Sequence, residues 1–449
     1  MNRKERRALA RKSAGSKTAA ATEFVAQAIQ LQQQGRLDEA KKLYRKTLQR
    51  DPYQVDALHF LGVMEAQQGR YQQAVDLIHR ALALNPQYAD AWNNLGNILA
   101  TTKQPDEAAQ AYRRAIEFAP ENASAHCNLG AMLRQGKQYA EAEAACRQAI
   151  ALNPQMVEAL FNLGKVLTAQ DHYEQAVDTY REVLRLHPGY IPVYRALGIL
   201  LYRMGRSEDA IHLYQDWLRQ DPDNAIAQHM LAAHSGQAIP DRATNYYVQN
   251  LFDDMADHFD EHLERLDYQA PTLVGQLVSR TMGIPKPSLT VLDAGCGTGL
   301  CGSFLRPHAN HLTGVDLSPR MVERARVRGD YDELKVAELT TFLCETPNTY
   351  DLIISADTLV YFGDLQPVVT AAANALQPGG WLMFTTERHT NSMIKEDFHL
   401  EASGRYSHSE DYLWQILTQV GMEIDTLETV NLRMEGGQPI IGFLVSAHK

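Results

Sequence analysis

The chain has 449 residues, of which 45% are hydrophobic and 22% charged, and its net charge is -11. This length exceeds one ordinary hydrophobic core and predicts at least two domains. An acidic chain lacks the electropositive face that phosphate contacts need, so we expect no nucleic acid partner. No apolar run approaches the roughly 20 residues that cross a bilayer, and no apolar signal segment opens the sequence, so we expect a cytoplasmic protein without a membrane contact. The five cysteines show no C-x-x-C spacing, which predicts reduced thiols and no metal site.

The first segment, residues 1–20, is strongly basic, with seven cations against the single carboxylate of Glu5. A basic arm can touch nucleic acid, an acidic partner or the surface of its own protein. Arms of this composition are more often disordered and solvated, so the sequence predicts a disordered tail.

Three sequence features then recur every 34 residues. They are the prolines Pro52, Pro86, Pro120, Pro154, Pro188 and Pro222, the alanines Ala40, Ala74, Ala108, Ala142, Ala176 and Ala210, and the Leu-Gly pairs that end at Gly62, Gly96, Gly130, Gly164 and Gly198. A proline between helix pairs, a small residue at a helix crossing and a Leu-Gly in the first helix are typical of tetratricopeptide repeats. The sequence therefore predicts six repeats over 21–224, followed by a capping helix at 225–236 that covers the exposed face of the last repeat.

The repeats predict a binding surface. Stacked helix pairs form a solenoid whose concave surface is lined by the first helices of the repeats, and we expect it to hold a protein or peptide. Asn94, Asn128 and Asn162 occupy one repeat position, directly before the Leu-Gly pair. They form a polar ladder that can bond an extended peptide, and this resembles the asparagine ladder of protein O-linked N-acetylglucosamine transferases. The alternative is structural, because asparagine is common at this position whatever the repeats bind.

Alternating strand and helix signals replace the repeat after a predicted linker at 237–244, so residues 245–449 form a second domain. Helices are predicted at 245–266 and 271–281. Seven strands follow, with helices between the first five, at 289–293, 311–315, 334–337, 351–355, 380–386, 422–430 and 439–446. The fold class is therefore α + α/β in two domains, an α-solenoid followed by a Rossmann-like domain with a seven-stranded sheet.

The first strand of this domain ends in the sequence D-A-G-C-G-T-G. Gly295, Gly297 and Gly299 let the backbone approach a ligand that a Cβ would exclude, and the second apolar run ends at Asp316, whose carboxylate can accept both hydroxyls of a ribose. Dinucleotides and S-adenosylmethionine both use this geometry. The acidic Asp293 favours S-adenosylmethionine, because a carboxylate suits its ammonium and opposes a pyrophosphate.

Residues 291–318 resemble motif I and the following acidic strand of class I S-adenosylmethionine-dependent methyltransferases. In that family the cofactor lies across the carboxyl ends of the first strands, and the last strand is antiparallel. The resemblance implies that Leu317 and Met321 contact the adenine and that Ala356, at the end of the fourth strand, faces the methionine part. Glu338 and Leu339 fall where the family has a turn whose Asp bonds the adenine, and the Glu departs from that pattern. The cofactor-binding residues implied by the resemblance are Asp293, Gly295, Gly297, Gly299, Asp316, Leu317, Met321, Glu338, Leu339 and Ala356.

Catalysis by such a domain depends mainly on holding a nucleophile in line with the methyl carbon, and a base is needed only for a protonated nucleophile. Our candidates for a catalytic group are Asp357, Tyr406 and His408. The last two lie in the polar segment 404–409, where this fold places substrate-facing insertions.

The predicted function is an S-adenosylmethionine-dependent methyltransferase whose tetratricopeptide solenoid recruits a protein substrate or partner. One alternative is a small-molecule methyltransferase that docks onto a complex through its repeats. Another is a non-catalytic scaffold whose methyltransferase-like domain senses the cofactor. A nicotinamide oxidoreductase is the fourth reading, because the glycines also spell G-x-G-x-x-G, and it predicts binding of NAD.

Overall fold

The computed structural model describes residues 22–389 and 396–449, so the predicted basic tail at 1–20 lies outside the described residues. The chain divides into two compact units between Leu200 and Leu201. Residues 201–235, which include the predicted capping helix, therefore group with the second unit.

Helix pairs build the first unit. Its helices are α1 (22–33), α2 (Leu37–Arg50), α3 (Val55–Gln67), α4 (Tyr71–Leu84), α5 (Ala89–Thr101), α6 (Pro105–Phe118), α7 (Ala123–Gln135), α8 (Tyr139–Leu152), α9 (Val157–Ala169), α10 (Tyr173–Leu186) and α11 (Ile191–Arg203), the last of which continues across the division. From α2 to α10, each helix contacts the next one along the chain, and the first helices of neighbouring repeats also contact one another (α3 with α5, α5 with α7 and α7 with α9).

The repeated glycines have a packing reason. A Cβ on Gly96 would lie 2.5 Å from the ring of Tyr112, and a Cβ on Gly164 would overlap the ring of Tyr180. The Leu-Gly position of the first helix thus receives a side chain of the second helix, which is Tyr112 or Tyr180 in these two pairs and Ile78 or Cys146 at Gly62 and Gly130. This is the tetratricopeptide arrangement that the 34-residue period predicted.

The second unit begins with α12 (Ser207–Gln220) and the predicted capping helix α13 (Ala225–Ser235). The further helices are α14 (Asn245–Met255), α15 (Phe259–Arg265), α16 (Ala270–Met282), α17 (Gly302–Leu305), α18 (Pro319–Arg328), α19 (Leu339–Cys344), α20 (Gln366–Ala375) and α21 (Glu410–Gln419). The predicted helix at 245–266 is interrupted by a 3-10 turn at Ala256–His258, which separates α14 from α15. In the part of the chain that the structure describes, no helix has the length and apolar character to cross a bilayer.

One mixed sheet forms the centre of the second unit. Its strands are β1 (Leu289–Ala294), β2 (Ala309–Asp316), β3 (Glu333–Val336), β4 (Tyr350–Ser355), β5 (Leu376–Arg388), β6 (Phe398–Leu400), β7 (Tyr406–His408), β8 (Glu423–Glu435) and β9 (Gln438–His448). The order is β3-β2-β1-β4-β5-β9-β8, with β1 to β5 parallel and β9 antiparallel to both neighbours. All seven predicted strands are present, and their order is that of a Rossmann-like methyltransferase sheet.

Two short strands were not predicted. β7 pairs in parallel with the end of β5 through Glu387 and Arg388, and β6 pairs with β7. The segment 404–409, predicted as a polar, substrate-facing segment, is therefore partly a strand. Strands of three residues carry too little alternation to give a period-2 signal.

Apolar layers cover both faces of the sheet. Successive β1 residues alternate, since Val291 packs with Val274 and Leu277 of α16, whereas Leu292 belongs to the opposite layer with α20 and α21. The sheet is thus fixed from both sides, and the carboxyl ends of β1, β2 and β4 meet at one edge.

Candidate functional site

The turn after β1 has a conformation that only glycine tolerates well. Gly295, Gly297 and Gly299 have φ angles of +83°, +54° and +88°. The amide of Gly295 donates to the carbonyl oxygen of Val315 at 2.8 Å, which joins the turn to β2. A Cβ on Gly295 would overlap the side chain of Thr358. The glycine loop (residues 295–299) is therefore held close to the ends of β2 and β4.

Asp316 meets this loop directly. Its Oδ2 accepts from the amide of Gly297 at 2.9 Å, and its Oδ1 accepts from the amide of Ser318 at 2.8 Å. Burial raises the pKa of the carboxyl, and the amide hydrogen bonds act in the opposite direction. The structure thus brings the predicted ribose acid and the predicted glycines together at the carboxyl ends of β1 and β2.

Asp293 lies deeper in the same edge and is 1% exposed. Its Oδ2 accepts from the hydroxyl of Tyr331 at 2.6 Å, whereas its Oδ1 has no hydrogen-bond partner within the described residues. Burial raises the pKa of this carboxyl to about 7. A buried carboxyl with one unused oxygen is suited to holding a proton or meeting a cationic group.

The other predicted cofactor residues surround these two acids. Met321 is fully buried at the start of α18, where Ser318 caps the helix by accepting from the Met321 amide at 3.1 Å. Leu317 follows Asp316 and is half-buried, as is Ala356 directly after β4. An apolar wall and two carboxyls beside the glycine loop have the chemistry that would fit the adenosine and amino acid parts of S-adenosylmethionine.

Glu338 has structural partners that the sequence did not reveal. It is the N-cap of α19, ahead of the buried Leu339, and accepts from the amides of Thr340 at 3.0 Å and Thr341 at 2.8 Å. Arg242 donates to its Oε1 at 2.6 Å. Burial acts to raise the pKa of Glu338, but the hydrogen bonds from Thr341 and its neighbours prevail and lower it to about 2. Both carboxylate oxygens are thus occupied by donors of the chain itself.

The first catalytic candidate, Asp357, follows β4 in the left-handed region, with a φ of +57°. Its amide donates to Thr385 Oγ1 at 2.8 Å, and its carboxylate accepts from Arg433 Nη1 at 2.9 and 3.1 Å. Burial raises the pKa of Asp357, while the charge of Arg433 opposes the rise. An aspartate held in this strained conformation at a strand end is a feature of functional sites.

Arg433 and Glu387 are the buried members of a group of charges that we call the charge network (Asp357, Glu387, Arg405, Arg433 and Glu435). Arg433 also pairs with Glu387, and Arg405 donates to Glu387 at 2.7 Å and pairs with Glu435. Burial acts to raise the pKa of Glu387, but the two arginines lower it below its usual value. The network joins the ends of β4, β5 and β8 and was not foreseen, because its members are dispersed over the sequence.

The remaining catalytic candidates, Tyr406 and His408, are fully buried. The hydroxyl of Tyr406 donates to the carbonyl oxygen of Pro240 at 2.8 Å. His408 Nδ1 lies 2.6 Å from Thr386 Oγ1, and its Nε2 lies 2.9 Å from the carbonyl oxygen of Phe362. Burial lowers the pKa of His408 to about 4. The structure places both side chains in the interior of the domain, because the pairing of β7 with β5 turns them inward.

The segment 245–265, which contains α14 and α15 and which we call the strap, lies against the glycine loop. Asp260 accepts from Thr298 Oγ1 at 2.5 Å and from Arg328 at 2.6 Å. The ring of Phe259 lies 4.0 Å from the Cβ position of Gly297.

A second set of ion pairs fixes the strap to α18. Asp257 pairs with Arg320 at 2.7 Å and with Arg324. The arginines at 320, 324 and 328 lie on one face of α18, because residues four apart are neighbours on a helix. This spacing was visible in the sequence and is the signal by which the strap could have been found.

The predicted partner-binding asparagines have a shared contact. Each one donates its side-chain amide to the first helix of the preceding repeat. The pairs are Asn94 to His59 at 2.8 Å, Asn128 to Asn97 at 3.0 Å, and Asn162 to the sulfur of Cys127 at 3.4 Å. The amide nitrogens therefore join successive repeats.

Family models match both parts of the chain. A methyltransferase-domain model matches residues 266–427. Tetratricopeptide-repeat models match residues 25–87, 66–123, 123–156 and 147–223.

The curated relatives of this chain include two O-methyltransferases. A ubiquinone biosynthesis O-methyltransferase of Bordetella bronchiseptica is 32% identical over 133 residues, which are 27% of this chain and 54% of that enzyme. The match thus spans about half the length of this relative. A malonyl-[acyl-carrier protein] O-methyltransferase of Acetivibrio thermocellus is 28% identical over 222 residues, which are 45% of this chain and 76% of that enzyme.

Solved structures also match. The PilF protein of Pseudomonas aeruginosa is 22% identical, with a TM-score of 0.43, and the match covers 48% of this chain and 99% of that protein.

Proposed function

The chain joins tetratricopeptide repeats to a methyltransferase domain, and we propose that it is a cytoplasmic S-adenosylmethionine-dependent methyltransferase whose solenoid recruits a protein. That protein is the methyl acceptor or carries it. The observation that carries the proposal is the contact between Asp316 and Gly297 at the carboxyl ends of two parallel strands.

In this proposal Asp316 accepts the ribose hydroxyls. The glycine loop lets the protein backbone approach the ligand, and Leu317 and Met321 contact the adenine. Ala356 faces the methionine part from the end of β4. Among the proposed cofactor-binding residues, Glu338 has the least support, because its oxygens already accept hydrogen bonds from Thr340, Thr341 and Arg242.

Asp293 supports S-adenosylmethionine over a dinucleotide. A carboxyl at the end of β1 with a pKa near 7 and an unused oxygen is compatible with an ammonium group. A pyrophosphate at this place would meet a negative charge in a buried site, which is unfavourable.

The bound cofactor would supply a methyl group on an activated sulfonium, and the residues of the chain hold the reacting groups in position. The glycine loop and Asp316 orient the ligand, and the strap covers the loop and excludes water. The side chains of Tyr406 and His408 are buried and form hydrogen bonds with backbone carbonyl oxygens, so we do not propose either as a base. Asp357 remains the candidate for contact with the acceptor, since it follows β4 at the edge of the sheet where the cofactor would lie and belongs to the charge network.

The test is calorimetric titration of the full chain with S-adenosylhomocysteine, with NAD as the parallel control. The full chain is required because residues 201–235 pack on the second domain, where His229 Nε2 lies 2.9 Å from the carbonyl oxygen of Gly404. Binding of S-adenosylhomocysteine, the product of methyl transfer, without binding of NAD supports the proposal. Absence of product binding would favour a scaffold, and NAD binding would favour an oxidoreductase.

A small-molecule acceptor is the second candidate, and the name of one curated relative favours it, since that name concerns ubiquinone biosynthesis. Transfer of a tritiated methyl group from S-adenosylmethionine into separated cell fractions decides between them. A protein acceptor would retain the label after acid precipitation and gel filtration. A small-molecule acceptor would carry it into the low-mass fraction, in which case the repeats serve to dock the enzyme.

A further inference from the structure

Two tyrosine hydroxyls near Asp357 are not used by the chain. They belong to Tyr268, which follows the strap, and to Tyr361, in the turn after β4, and both residues are half-buried. Counting the described residues alone, neither hydroxyl forms a hydrogen bond. Other tyrosines of this domain differ, since the hydroxyls of Tyr331 and Tyr406 each donate to an oxygen of the chain. Polar groups removed from water normally have a partner, so the two free hydroxyls are suited to meet a ligand.

The main chain fixes Tyr268 beside Arg433. Segment 266–269 is joined to segment 432–434 by two backbone hydrogen bonds, of 2.6 and 2.8 Å, which flank the two residues. Arg433 in turn donates to the carboxylate of Asp357 at 2.9 Å. Burial raises the pKa of the Tyr268 hydroxyl well above its usual value, and the charge of Asp357 adds to the rise. The hydroxyl therefore lies within the field of this carboxylate and stays protonated.

Tyr361 joins the aromatic residues of the strap. Its ring centre is 5.4 Å from that of Phe252, which is 5.8 Å from that of Phe259, and Phe259 lies against the glycine loop. Burial raises the pKa of Tyr361, while the charge of Arg405 opposes the rise and that of Asp357 adds to it. A row of aromatic rings thus extends from the glycine loop to the neighbourhood of Asp357.

The charges around Asp357 favour a cation over an anion. The charge network contains three carboxylates and two arginines. Both arginines are paired with Glu387, and the side chains of Arg405 and Arg433 are only 19% and 4% exposed, so neither is available to an anionic acceptor. A carboxylate or phenolate acceptor would meet repulsion here. A carboxylate has about four acceptor positions, and Arg433 occupies two of those on Asp357, which leaves others for the N–H groups of an amine.

We propose that Tyr268, Tyr361 and Asp357 bind the methyl acceptor and that its nucleophile is an amine nitrogen. This inference rests on the proposed function and specifies the class of acceptor. The phenol oxygens and the carboxylate accept hydrogen bonds from the amine, and the aromatic rings favour its approach as a cation. The amine belongs to a protein or to a small molecule, and the tritium transfer described for the proposed function separates these two sources.

The reaction balances with no further reagent. An amine that arrives protonated first releases one proton to water. Its lone pair then forms the bond to the methyl carbon, while the electrons of the carbon–sulfur bond pass to sulfur. The products are a methylammonium ion and S-adenosylhomocysteine.

The experiment compares three ligands by calorimetric titration of the full chain. S-adenosylhomocysteine is neutral at sulfur, and S-adenosylmethionine is positive there but has no N–H group at that place. Sinefungin has an amino group on the carbon that replaces the methylated sulfur, so its nitrogen stands where an acceptor amine would meet the methyl group. We expect sinefungin to bind about tenfold more tightly than either of the other two, because a hydrogen bond to a charged group contributes roughly that much.

Two substitutions then test the hydroxyls. Tyr268→Phe and Tyr361→Phe each remove one hydroxyl and keep the ring. Each should reduce the preference for sinefungin by about threefold or more, and the double variant should abolish it. The affinity for S-adenosylhomocysteine should stay within about threefold of that of the natural chain, because this ligand has no group that bonds to the hydroxyls. Tyr53→Phe, the control at a tyrosine that is 72% exposed, should leave all three affinities unchanged.

Equal binding of sinefungin and S-adenosylmethionine by the natural chain would overturn the amine assignment, and this comparison needs no variant to fold. A preference that survives the double substitution would overturn the role of the two hydroxyls. If S-adenosylhomocysteine binds and sinefungin is not preferred, the methyltransferase proposal stands and only the amine is refuted. If none of the three ligands binds, both proposals fail.

Discussion

Asp316 accepts a hydrogen bond from the amide of Gly297 at 2.9 Å, so the carboxylate at the end of β2 orders the glycine loop that follows β1. The same carboxylate accepts from Ser318, which starts α18. One side chain therefore connects the loop, the second strand and the helix beneath the proposed adenine site. Its loss should alter ligand binding more than folding, because the strands on either side remain fully packed.

The first prediction concerns this carboxylate. Asp316→Ala should lower the affinity for S-adenosylhomocysteine by about 10- to 100-fold, the effect of losing hydrogen bonds to a charged group. The fold should remain intact, as judged by circular dichroism. Asp316→Asn, which keeps one acceptor for Gly297 but no charge, should give an intermediate affinity. Calorimetric titration of the full chain measures both, and an unchanged affinity in Asp316→Ala would refute the ribose assignment.

The sequence predicted those parts of the fold that repeat or alternate. The 34-residue period predicted the helix pairs, and the apolar runs predicted all seven long strands. The spacing of the glycines and Asp316 predicted the glycine loop. The sequence did not predict β6 and β7, whose three residues each are too short for a pattern. Nor did it reveal that Tyr406 and His408 are interior, because the direction of a side chain on a short strand depends on the pairing with β5.

Contacts between distant segments were also hidden from the sequence. Tyr331 reaches Asp293 across 38 positions, and Arg433 reaches Asp357 across 76. No local spacing indicates such pairs, since the turn that carries Tyr331 and the hairpin that carries Arg433 are positioned by the assembled sheet. The strap is the exception, because the four-residue spacing of its arginine partners on α18 was already present in the sequence.

The second prediction tests why position 295 is glycine. Gly295→Ala and Gly329→Ala both place a Cβ at a positive φ, of +83° and +78°, and each should cost about 1–2 kcal/mol of conformational strain. The Cβ at 329 has no neighbour within 4 Å, whereas the one at 295 would overlap Thr358. Gly295→Ala should therefore be the less stable variant and should lose product binding, which Gly329→Ala should keep.

Thermal unfolding in the presence and absence of S-adenosylhomocysteine provides the measurement, because the ligand-induced shift identifies the transition of the second unit. Equal stability and equal ligand shifts in the two variants would contradict the close approach of Thr358.

The third prediction is a dependence on pH. The pKa of Asp293 is about 7 in the folded chain, against an ordinary value of 3.8. Between these values the folded state holds a proton that the unfolded state has lost, so the stability contributed at Asp293 falls as the pH rises from about 4 to about 7 and is level outside that window. The total change is at most about 4 kcal/mol.

Urea unfolding at pH 5 and pH 8 should show this loss in the natural chain and not in Asp293→Asn. Tyr331→Phe is the informative companion, because the Tyr331 hydrogen bond lowers the pKa of Asp293. Its removal should shift the window to higher pH. A difference between the natural chain and Asp293→Asn that is the same at both pH values would disprove the raised pKa.

The last prediction concerns the charge network. Arg433→Met should destabilise the second unit by about 3–5 kcal/mol, because it leaves Asp357 and Glu387 buried without this cation. Arg388→Met is the matched control, since the Arg388 side chain is exposed. Among the described residues it forms only a hydrogen bond to the Thr429 hydroxyl and a cation–π contact with the ring of Phe443.

The double variant Arg433→Met with Glu387→Gln should lose less stability than the sum of the two single changes, because it removes an opposing pair of charges together. Denaturant unfolding, with the transition assigned by its shift on adding S-adenosylhomocysteine, measures all four variants. If Arg433→Met costs no more than Arg388→Met, the network does not hold the ends of β4 and β5 together, and Asp357 needs another cause for its left-handed conformation.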